Sequence, residues 1–231
     1  MATEIELKYL IVNDNVVELI STLLADNQIS NQQTVHILEN YYFDTPKHNL
    51  RQCDIGLRVR SSDGQLEQTL KTAGKAFGGL HQRPEYNVSI EKKTPDLSLF
   101  PVEIWPASLA IEQVQAKLIP LFSTNFSRVE WLITNDNGSQ IELVFDCGSI
   151  EVNKLNEPIS EIELELISGE LNDLFNLATL LVDHLSIRAG IKSKAARGYA
   201  LLHQQTKQNK QGPVKITPLE LIPLEHQYQI N

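Results

Sequence analysis

Residues 4–8 read Glu-Ile-Glu-Leu-Lys, and residues 161–165 read Glu-Ile-Glu-Leu-Glu. Because alternate residues of a β-strand point to opposite faces, each stretch predicts a strand with charged side chains on one face and apolar side chains on the other. The same alternation, with arginine or lysine in place of some carboxylates, recurs in several further segments. The sequence therefore predicts a sheet with one charged face and one apolar face.

Segments of this kind are numerous enough to form a complete sheet. About eight predicted strands follow one another in hairpin-like succession, with turn signals such as Ser62-Asp63-Gly64 between them. Strands connected in this way pair antiparallel, and a strongly curved antiparallel sheet can close on itself. Helically spaced apolar residues add two to four helices, which predicts an α+β fold. The predicted strands cover residues 3–12, 35–43, 55–61, 65–72, 80–91, 126–135, 139–152 and 160–167, residues 75–79 are a predicted loop, and the predicted helices begin near residue 16 and cover residues 111–118, 171–185 and 193–202.

Length and composition predict one folded domain followed by a tail. The chain has 231 residues, of which 42% are hydrophobic and 21% charged, values typical of a globular domain. We expect the domain to span residues 1–205, since residues 206–231 are rich in Gln, Lys and Pro and are typical of a linker or tail. No apolar run approaches the roughly 20 residues of a membrane span, and the first residues lack the apolar stretch of a signal peptide, so we expect a cytoplasmic protein. The net charge of −9 argues against binding to nucleic acid or to anionic lipid.

The sign of the charge is distributed unevenly over the predicted strands. Carboxylates gather on the first and last strands, whereas arginine and lysine gather on the third to sixth. A face that is simply solvated, the alternative interpretation, usually mixes the two signs because like charges opposite each other are destabilising. If the sheet closes, the first and last strands become neighbours, and their carboxylates form an acidic patch opposite a basic wall. The acidic patch comprises Glu4, Glu6, Glu161 and Glu163, and the basic wall comprises Arg58, Arg60, Lys71, Arg83 and Arg128.

Two such surfaces indicate a ligand that combines a metal with an oxyanion. Neighbouring carboxylates repel each other unless they bind a cation or a proton, and carboxylate oxygens without Cys or His suit Mg²⁺, with Mn²⁺ as the alternative. The arginines suit an anion with many oxygens, because the guanidinium fork matches phosphate. A polyphosphate bridged by a divalent metal satisfies both surfaces.

The same residues resemble a known family. Glu4-Ile5-Glu6-Leu7-Lys8 is similar to the ExExK signature of the CYTH superfamily, the triphosphate tunnel metalloenzymes, and the similarity extends over roughly residues 2–203. More narrowly, residues 78–88 and 193–199 resemble bacterial inorganic triphosphatases in which a CYTH domain precedes a helical CHAD domain. The other matching motifs are Tyr42-Phe43-Asp44-Thr45-Pro46, Gly56-Leu57-Arg58-Val59-Arg60, Thr69-Leu70-Lys71, Glu161-Ile162-Glu163-Leu164-Glu165 and Ser193-Lys194-Ala195-Ala196-Arg197-Gly198-Tyr199.

This resemblance implies both a fold and an activity. The implied fold is an eight-stranded antiparallel β-barrel, a tunnel, with helices packed outside. The implied activity is Mg²⁺-dependent hydrolysis of inorganic triphosphate to diphosphate and phosphate, with inorganic triphosphate or another triphosphate as the substrate. The residues printed here contain no CHAD domain, so we expect that domain to be missing from this chain.

The pattern and the resemblance together predict the site. Glu4, Glu6 and Lys8 are the predicted catalytic residues, with Lys8 at the junction of the acidic patch and the basic wall. Lys194 joins the substrate-binding set because it stands where a helix starts, and helix N-termini attract anions. The predicted metal ligands are Glu4, Glu6, Asp146, Glu161, Glu163 and Glu165, and the predicted substrate-binding residues are Lys8, Arg58, Arg60, Lys71, Arg83, Arg128 and Lys194.

Several alternatives stay open at this level. Glu165 is either a further metal ligand or a rim residue, and Asp146 and Glu85 either bind metal or orient basic side chains. The attacking water is activated either by a second metal or by a glutamate acting as general base. Class IV adenylate cyclases and thiamine triphosphatases use the same tunnel, and a non-catalytic polyphosphate-binding module is a further alternative. The acidic patch favours catalysis, because binding an anion alone does not call for carboxylates.

Overall fold

The computed structural model of the protein describes residues 2–211, and within them it contains ten strands and four α-helices. The strands are β1 (Ala2–Ile11), β2 (Asn31–Asp44), β3 (Gly56–Ser62), β4 (Gln65–Lys71), β5 (Lys75–Phe77), β6 (Leu80–Ile90), β7 (Ile119–Thr134), β8 (Gln140–Val152), β9 (Leu155–Ser168) and β10 (Ile187–Ala189). The helices are α1 (Val16–Asp26), α2 (Ile111–Gln115), α3 (Leu171–His184) and α4 (Lys194–Gln211), and short 3₁₀ turns occupy Arg51–Cys53, Leu97–Leu99 and Val102–Ile104.

Eight of the strands close into an antiparallel barrel, which confirms the predicted fold class. Around the barrel the order is β1, β9, β8, β7, β2, β3, β4 and β6, and β6 pairs with β1 again. In the pairs that close the barrel, Glu4 lies opposite Arg83 on one side of β1, and Lys8 lies opposite Glu163 on the other. The first and last long strands are therefore neighbours, so the carboxylates of the predicted acidic patch lie on adjoining strands.

Two short strands extend the barrel beyond these eight. β5 pairs with β6, and β10 pairs with β1, over three residues each. The predicted loop at residues 75–79 is thus wrong for Lys75–Phe77. A strand of three residues is too short to show a period of two, so no pattern indicates it.

Apolar side chains on the outer face of the barrel pack against the helices. Leu24 of α1 and Leu181 of α3 are fully buried in one cluster with Leu164 of β9. On another side, Val114 of α2 is buried against the outer face of β4, which contributes Leu70. Each fully buried side chain of this size stabilises the fold by about 1.5–3 kcal/mol, so the wall that carries the interior charges is held from outside.

Helix α4 is fixed against the barrel at two points. A Cβ atom on Gly198 would lie 2.2 Å from a ring carbon of Phe122, so only glycine allows the helix to approach the ring this closely. One residue further on, the Tyr199 hydroxyl donates a hydrogen bond of 3.0 Å to the buried carboxylate of Asp44, at the end of β2. These contacts set the direction of the helix and place Lys194, its first residue, in the barrel interior.

The bounds of some elements differ from the prediction where the alternation is weak. β2 begins at Asn31 rather than near residue 35, and β7 begins at Ile119 rather than near residue 126. The first residues of β2 are exposed on both faces, so no alternation indicates them. β7 includes Pro120 beside a register shift at Tyr42 and Phe43, the kind of irregular position at which a sheet accepts proline.

Helix α4 continues past the predicted domain boundary at residue 205 and runs through Gln211. The rest of the predicted tail, residues 212–231, lies outside the described residues. None of the helices within residues 2–211 is long and apolar enough to cross a membrane.

Candidate active site

The interior of the barrel is a charged cavity of about 480 Å³. Its lining comes from every barrel strand and from the start of α4, because the inward positions of each strand alternate with apolar outward ones. Asp146 and Glu161 do not line the cavity themselves; they are fully buried and contact Lys194, which does. The other predicted site residues all line it, namely Glu4, Glu6, Lys8, Arg58, Arg60, Lys71, Arg83, Arg128, Glu163, Glu165 and Lys194.

Three of the predicted metal ligands form one compact group, which we call the acidic trio: Asp146, Glu161 and Glu163. Each offers a carboxylate oxygen, and these oxygens lie within 4.8 Å of one another. Basic side chains already contact all three carboxylates. The Nζ atom of Lys194 is 2.6 Å from Asp146 and 3.1 Å from Glu163, and it also contacts Glu161. The Nζ atom of Lys8 contacts Glu163 and lies 3.4 Å from Glu161.

Arg128 completes the neutralisation of the acidic trio. Its guanidinium donates to both oxygens of Asp146 at 2.8 Å and to Glu163 at 3.1 Å. Burial alone would raise the pKa of Asp146, but the charges of Lys194 and Arg128 outweigh it and hold the pKa of that carboxyl well below its usual range. Arg197 of α4 adds a fourth cation, because its Nη1 atom donates to Glu161 at 2.9 Å. The three carboxylates are thus contacted by four cations, so the trio stands as a buried ion-pair network. The predicted contacts of Arg128 and Lys194 with phosphate stay a prediction.

A second network lies where β1, β4 and β6 meet. Glu4 is 2.6 Å from Lys71 and 3.0 Å from Arg83, and Glu85 is 2.6 Å from Lys71. Glu85 also approaches Arg58 at 3.8 Å. Burial would raise the pKa of Glu85, but Lys71 and Arg58 outweigh it and lower the pKa to about 2. Glu85 thus contacts two basic side chains, as expected for one of the two roles that the sequence leaves open for it.

Other carboxylates in the cavity lack such partners. Glu165 lies opposite Glu6 on β1 and opposite Glu142 on β8, so three carboxylates follow one row of the barrel. Among the side chains that the structure describes, Glu165 forms no ion pair, and the Oε1 atom of Glu6 is buried without a hydrogen-bond donor, with Arg83 at 3.7 Å. Burial and the neighbouring carboxylate of Glu4 raise the pKa of Glu165 to about 7. The carboxylates of this row therefore have few cationic partners, since among the described cationic side chains Glu142 approaches only Arg128, at 3.6 Å.

The excess positive charge lies on β3. Arg60 forms no ion pair with any described residue, and its Nε atom instead donates to the neutral amide oxygen of Asn40 at 2.9 Å. Burial and the charges of Arg58 and Arg128 lower the pKa of Arg60 to about 9. Arg58 has only the distant Glu85, and its Nε atom is buried without an acceptor. The two arginines face the cavity with little negative charge to balance them.

Two interior positions were not singled out by the sequence. Asn40 of β2 and Thr124 of β7 are fully buried, and the side-chain amide of Asn40 donates a hydrogen bond to the Thr124 hydroxyl. No signal identifies them, because β2 alternates Asn40 and Tyr42 with Tyr41 and Phe43, and neither set is charged. Inward residues on this strand could be recognised only through their partners on β3.

Comparison with known proteins identifies a relative that aligns with most of this chain. An inorganic triphosphatase from Haemophilus influenzae is 42% identical over 210 residues, which cover 89% of this chain and 56% of that protein. The chain thus spans about half the length of the curated relative that it matches.

Solved structures share the fold at lower identity. A protein from Hippeastrum, described as a candidate adenylyl cyclase with a dominant triphosphatase activity, is 20% identical with a TM-score of 0.59 over 94% of this chain and 99% of that one. A candidate adenylate cyclase from Bacillus halodurans is 20% identical with a TM-score of 0.50 over 85% of this chain and 98% of that one. At this level of identity the likeness establishes the fold alone.

The sequence pattern of one family covers almost the whole barrel and the first turns of α4. The CYTH domain matches residues 2–199, from the paired glutamates of β1 to the tyrosine that fixes α4 against β2. The closed eight-stranded barrel, with its inward-facing acidic and basic side chains, is the structure on which that match lies. The chain belongs to the CYTH domain family.

Proposed function

We propose that the protein hydrolyses inorganic triphosphate to diphosphate and phosphate inside the barrel, in a reaction that depends on a divalent metal. The proposal rests on two sets of charged side chains in the cavity that lack close partners of opposite charge. Arg58 and Arg60 lack close carboxylate partners, and Glu6 and Glu165 lack close cationic partners. A polyanion with a bound divalent cation supplies both missing charges, whereas a simple anion supplies only one.

The triphosphatase from Haemophilus influenzae supports the same chemistry, since 89% of this chain aligns with it at 42% identity. The alignment covers 56% of that protein, so its activity comes to this chain as part of the proposal. Inorganic triphosphate also fits the cavity because most of the described residues that line it are charged.

The carboxylates fit a hard divalent cation. Glu6, whose Oε1 atom is buried without a hydrogen-bond partner, lies opposite a second glutamate, Glu165, in the β1–β9 register. Burial opposes the ionisation of Glu6, but Lys8 and Lys71 outweigh it and hold its pKa well below the usual range, so the carboxylate is available as a ligand. Oxygen ligands without Cys or His suit Mg²⁺, with Mn²⁺ as the alternative. When bound, such an ion would neutralise charge on phosphoryl oxygens and polarise them.

The compensated carboxylates have a different role in this proposal. Glu4 and the acidic trio, all predicted metal ligands, are matched by lysine and arginine in the protein as described. We assign them to orienting those cations, and we assign Glu6 and Glu165 to the metal. Direct ligation by Glu4 would require Lys71 or Arg83 to move away from it.

The basic side chains perform the electrostatic part of the reaction. Phosphoryl transfer needs charge neutralisation on the oxygens of the transferred group and in-line placement of water. The guanidinium groups of Arg58 and Arg60 bind phosphoryl oxygens. Lys71 and Arg83, which are paired with Glu4, make a smaller contribution to stabilising the negative charge of the leaving diphosphate. All four side chains project from strands of the closed barrel, so the sheet holds their backbone positions.

The test is phosphate release from inorganic triphosphate, ATP and thiamine triphosphate, each with Mg²⁺ and with EDTA, together with an assay for cyclic AMP. We expect hydrolysis of inorganic triphosphate, dependent on Mg²⁺ and faster than that of the two organic substrates. Glu6→Gln should abolish it, and Glu91→Gln, at an exposed position after β6, is the matched control. Faster turnover of an organic triphosphate would favour the alternative enzymes, and tight binding without any phosphate release would favour a binding module.

A further inference from the structure

We propose that Asn40 is a positioning residue that holds the guanidinium of Arg60 while leaving its positive charge unneutralised for the substrate. The inference rests on the proposed function, because it assumes that Arg60 binds a phosphoryl group. It adds a residue outside the predicted site, and it explains why that residue is an amide.

The three side chains form a chain of hydrogen bonds across three strands. Asn40 lies opposite Arg60 on β3 and opposite Thr124 on β7. The Nε atom of Arg60 donates to Oδ1 of Asn40 at 2.9 Å, and Nδ2 of Asn40 donates to Oγ1 of Thr124 at 3.0 Å. Because Thr124 takes the amide donor, the amide oxygen is left to face Arg60. Asn40 and Thr124 are both 0% exposed, so water does not compete for these bonds.

The arrangement leaves the reactive end of Arg60 available. Asn40 occupies Nε, and in the described part of the chain neither Nη1 nor Nη2 has a hydrogen bond or an ion pair. These two nitrogens are the donors of the fork that matches phosphate oxygens. The anchor at Nε fixes the plane of the guanidinium and so reduces the conformational entropy that Arg60 loses when it binds a ligand.

A second arginine of the same cavity shows the opposite arrangement. Arg128 is held by a carboxylate, because Asp146 accepts hydrogen bonds from both Nε and Nη2 at 2.8 Å. Its charge is balanced: Nη2 also donates to Glu163, and Nη1 lies 3.6 Å from Glu142. Asn40 and Asp146 both anchor an arginine through Nε, but only the neutral amide preserves net positive charge at the anchored side chain.

The importance of an uncharged side chain at position 40 can be tested with Asn40→Asp, which keeps the size of the side chain and adds a negative charge. In Asn40→Asp a carboxylate oxygen still accepts from Arg60, and the hydroxyl of Thr124 can donate to the other oxygen, so both hydrogen bonds survive. We expect a folded variant with an unchanged or higher melting temperature. Its KM for inorganic triphosphate should rise by roughly tenfold to a hundredfold, as expected when a charge-assisted contact is weakened, with a smaller change in kcat.

A binding measurement separates this inference from the proposed activity. Inorganic triphosphate is titrated into the parent protein and into Asn40→Asp, and the heat of binding is measured by isothermal titration calorimetry. EDTA removes divalent metal, so the titration reports the affinity without hydrolysis. We expect weaker binding by the variant. If the parent binds triphosphate but releases no phosphate, the proposed function fails, while the difference in affinity between parent and variant still decides the role of Asn40.

Two further variants distinguish positioning from simple packing. Asn40→Ala removes the hydrogen-bond acceptor for Arg60 and should raise KM. Thr124→Val removes only the hydroxyl that orients the amide of Asn40 and adds no charge, so it should raise KM less. If Asn40→Asp keeps the KM and the affinity of the parent, the charge of the anchor is irrelevant and the proposal is overturned. It is also overturned if Asn40→Ala lowers the melting temperature but leaves both KM and affinity unchanged.

Discussion

Replacing Lys194 by methionine would remove the central cation of the acidic trio. The Nζ atom of Lys194 contacts all three carboxylates, at 2.6 Å for Asp146 and 3.1 Å for Glu163. Burial would lower the pKa of Lys194, but Asp146 and Glu161 outweigh it and raise the pKa, so the side chain is charged at neutral pH. Methionine keeps a similar length and a high helix propensity at the start of α4. The principal change is therefore the loss of one buried positive charge.

The magnitude follows from the burial of the pair. Lys194 and Asp146 have exposed side-chain fractions of only 8% and 0%. Breaking a buried ion pair by removing one partner costs about 3–5 kcal/mol, because the remaining charge stays desolvated. Lys8, Arg128 and Arg197 still contact the trio, so we expect Lys194→Met to lie near the lower end of that range.

A double-mutant cycle isolates the interaction. Asp146→Asn removes one carboxylate, which leaves Glu161 and Glu163 to be balanced by Lys8, Arg128 and Arg197. The double variant should therefore be more stable than the sum of the single changes predicts, by about 1–3 kcal/mol. Urea denaturation in EDTA measures all four stabilities, and Lys192→Met, at an exposed position just before α4, is the matched control. Additive effects, or a Lys194→Met variant as stable as the control, would show that the trio is not held by this lysine.

Two further changes test other parts of the structure. Glu165→Gln should stabilise the metal-free protein above pH 7 but not below pH 4. Burial and the carboxylate of Glu4 raise the pKa of Glu165 from 4.5 to about 7. Between those pH values the folded state keeps a proton that the unfolded state loses, so the stability of the parent protein falls as the pH rises. Urea denaturation at several pH values in EDTA checks this, and an equal difference between variant and parent at every pH would contradict it. Gly198→Ala should lower the melting temperature, since its Cβ would lie 2.2 Å from the ring of Phe122, and such overpacking costs about 1–3 kcal/mol. Gly56→Ala, where a Cβ meets nothing within 4 Å, is the control, and equal melting temperatures for the two variants would refute the close contact.

The inner surface of the barrel could be predicted from the sequence because charge marks it on most strands. On β1 and β9 the glutamates recur at every second residue, so both the strand and its inward face follow from one pattern. The adjacency of these strands also follows, since closure of a succession of antiparallel strands brings the ends together. β2 shows the limit of the method: its inward Asn40 and its outward Tyr41 are both uncharged, and only pairing with β3 identifies the inner face.

The ion-pair partners could not be predicted, because a strand pattern specifies a face but not the residues that meet across the barrel. The sequence assigns Arg128 to phosphate from the charge pattern of its strand, and Lys194 from its position at the start of a helix. The structure places Arg128 opposite Asp146 in the β7–β8 register and brings Lys194 to the same carboxylate from α4. Such contacts depend on register and on the approach of a helix that Gly198 permits, and neither is encoded in local alternation.

The availability of a charge, rather than its sign, is what distinguishes candidate ligand-binding groups in this cavity. In a poorly solvated interior an arginine already paired with a carboxylate must give up that interaction before it can bind an anion, so its net contribution to binding is small. Arg60 has no such interaction to lose, because its described partner is the amide of Asn40. The same reasoning applies to the acids. A cation that approaches the acidic trio must displace Lys194, whereas Glu165 has no ion pair with a described residue and Glu6 has Arg83 only at 3.7 Å. The proposed binding of a strongly anionic substrate is therefore compatible with a net charge of −9, because the charges that stay unbalanced inside the barrel, and not the overall charge, determine the local attraction.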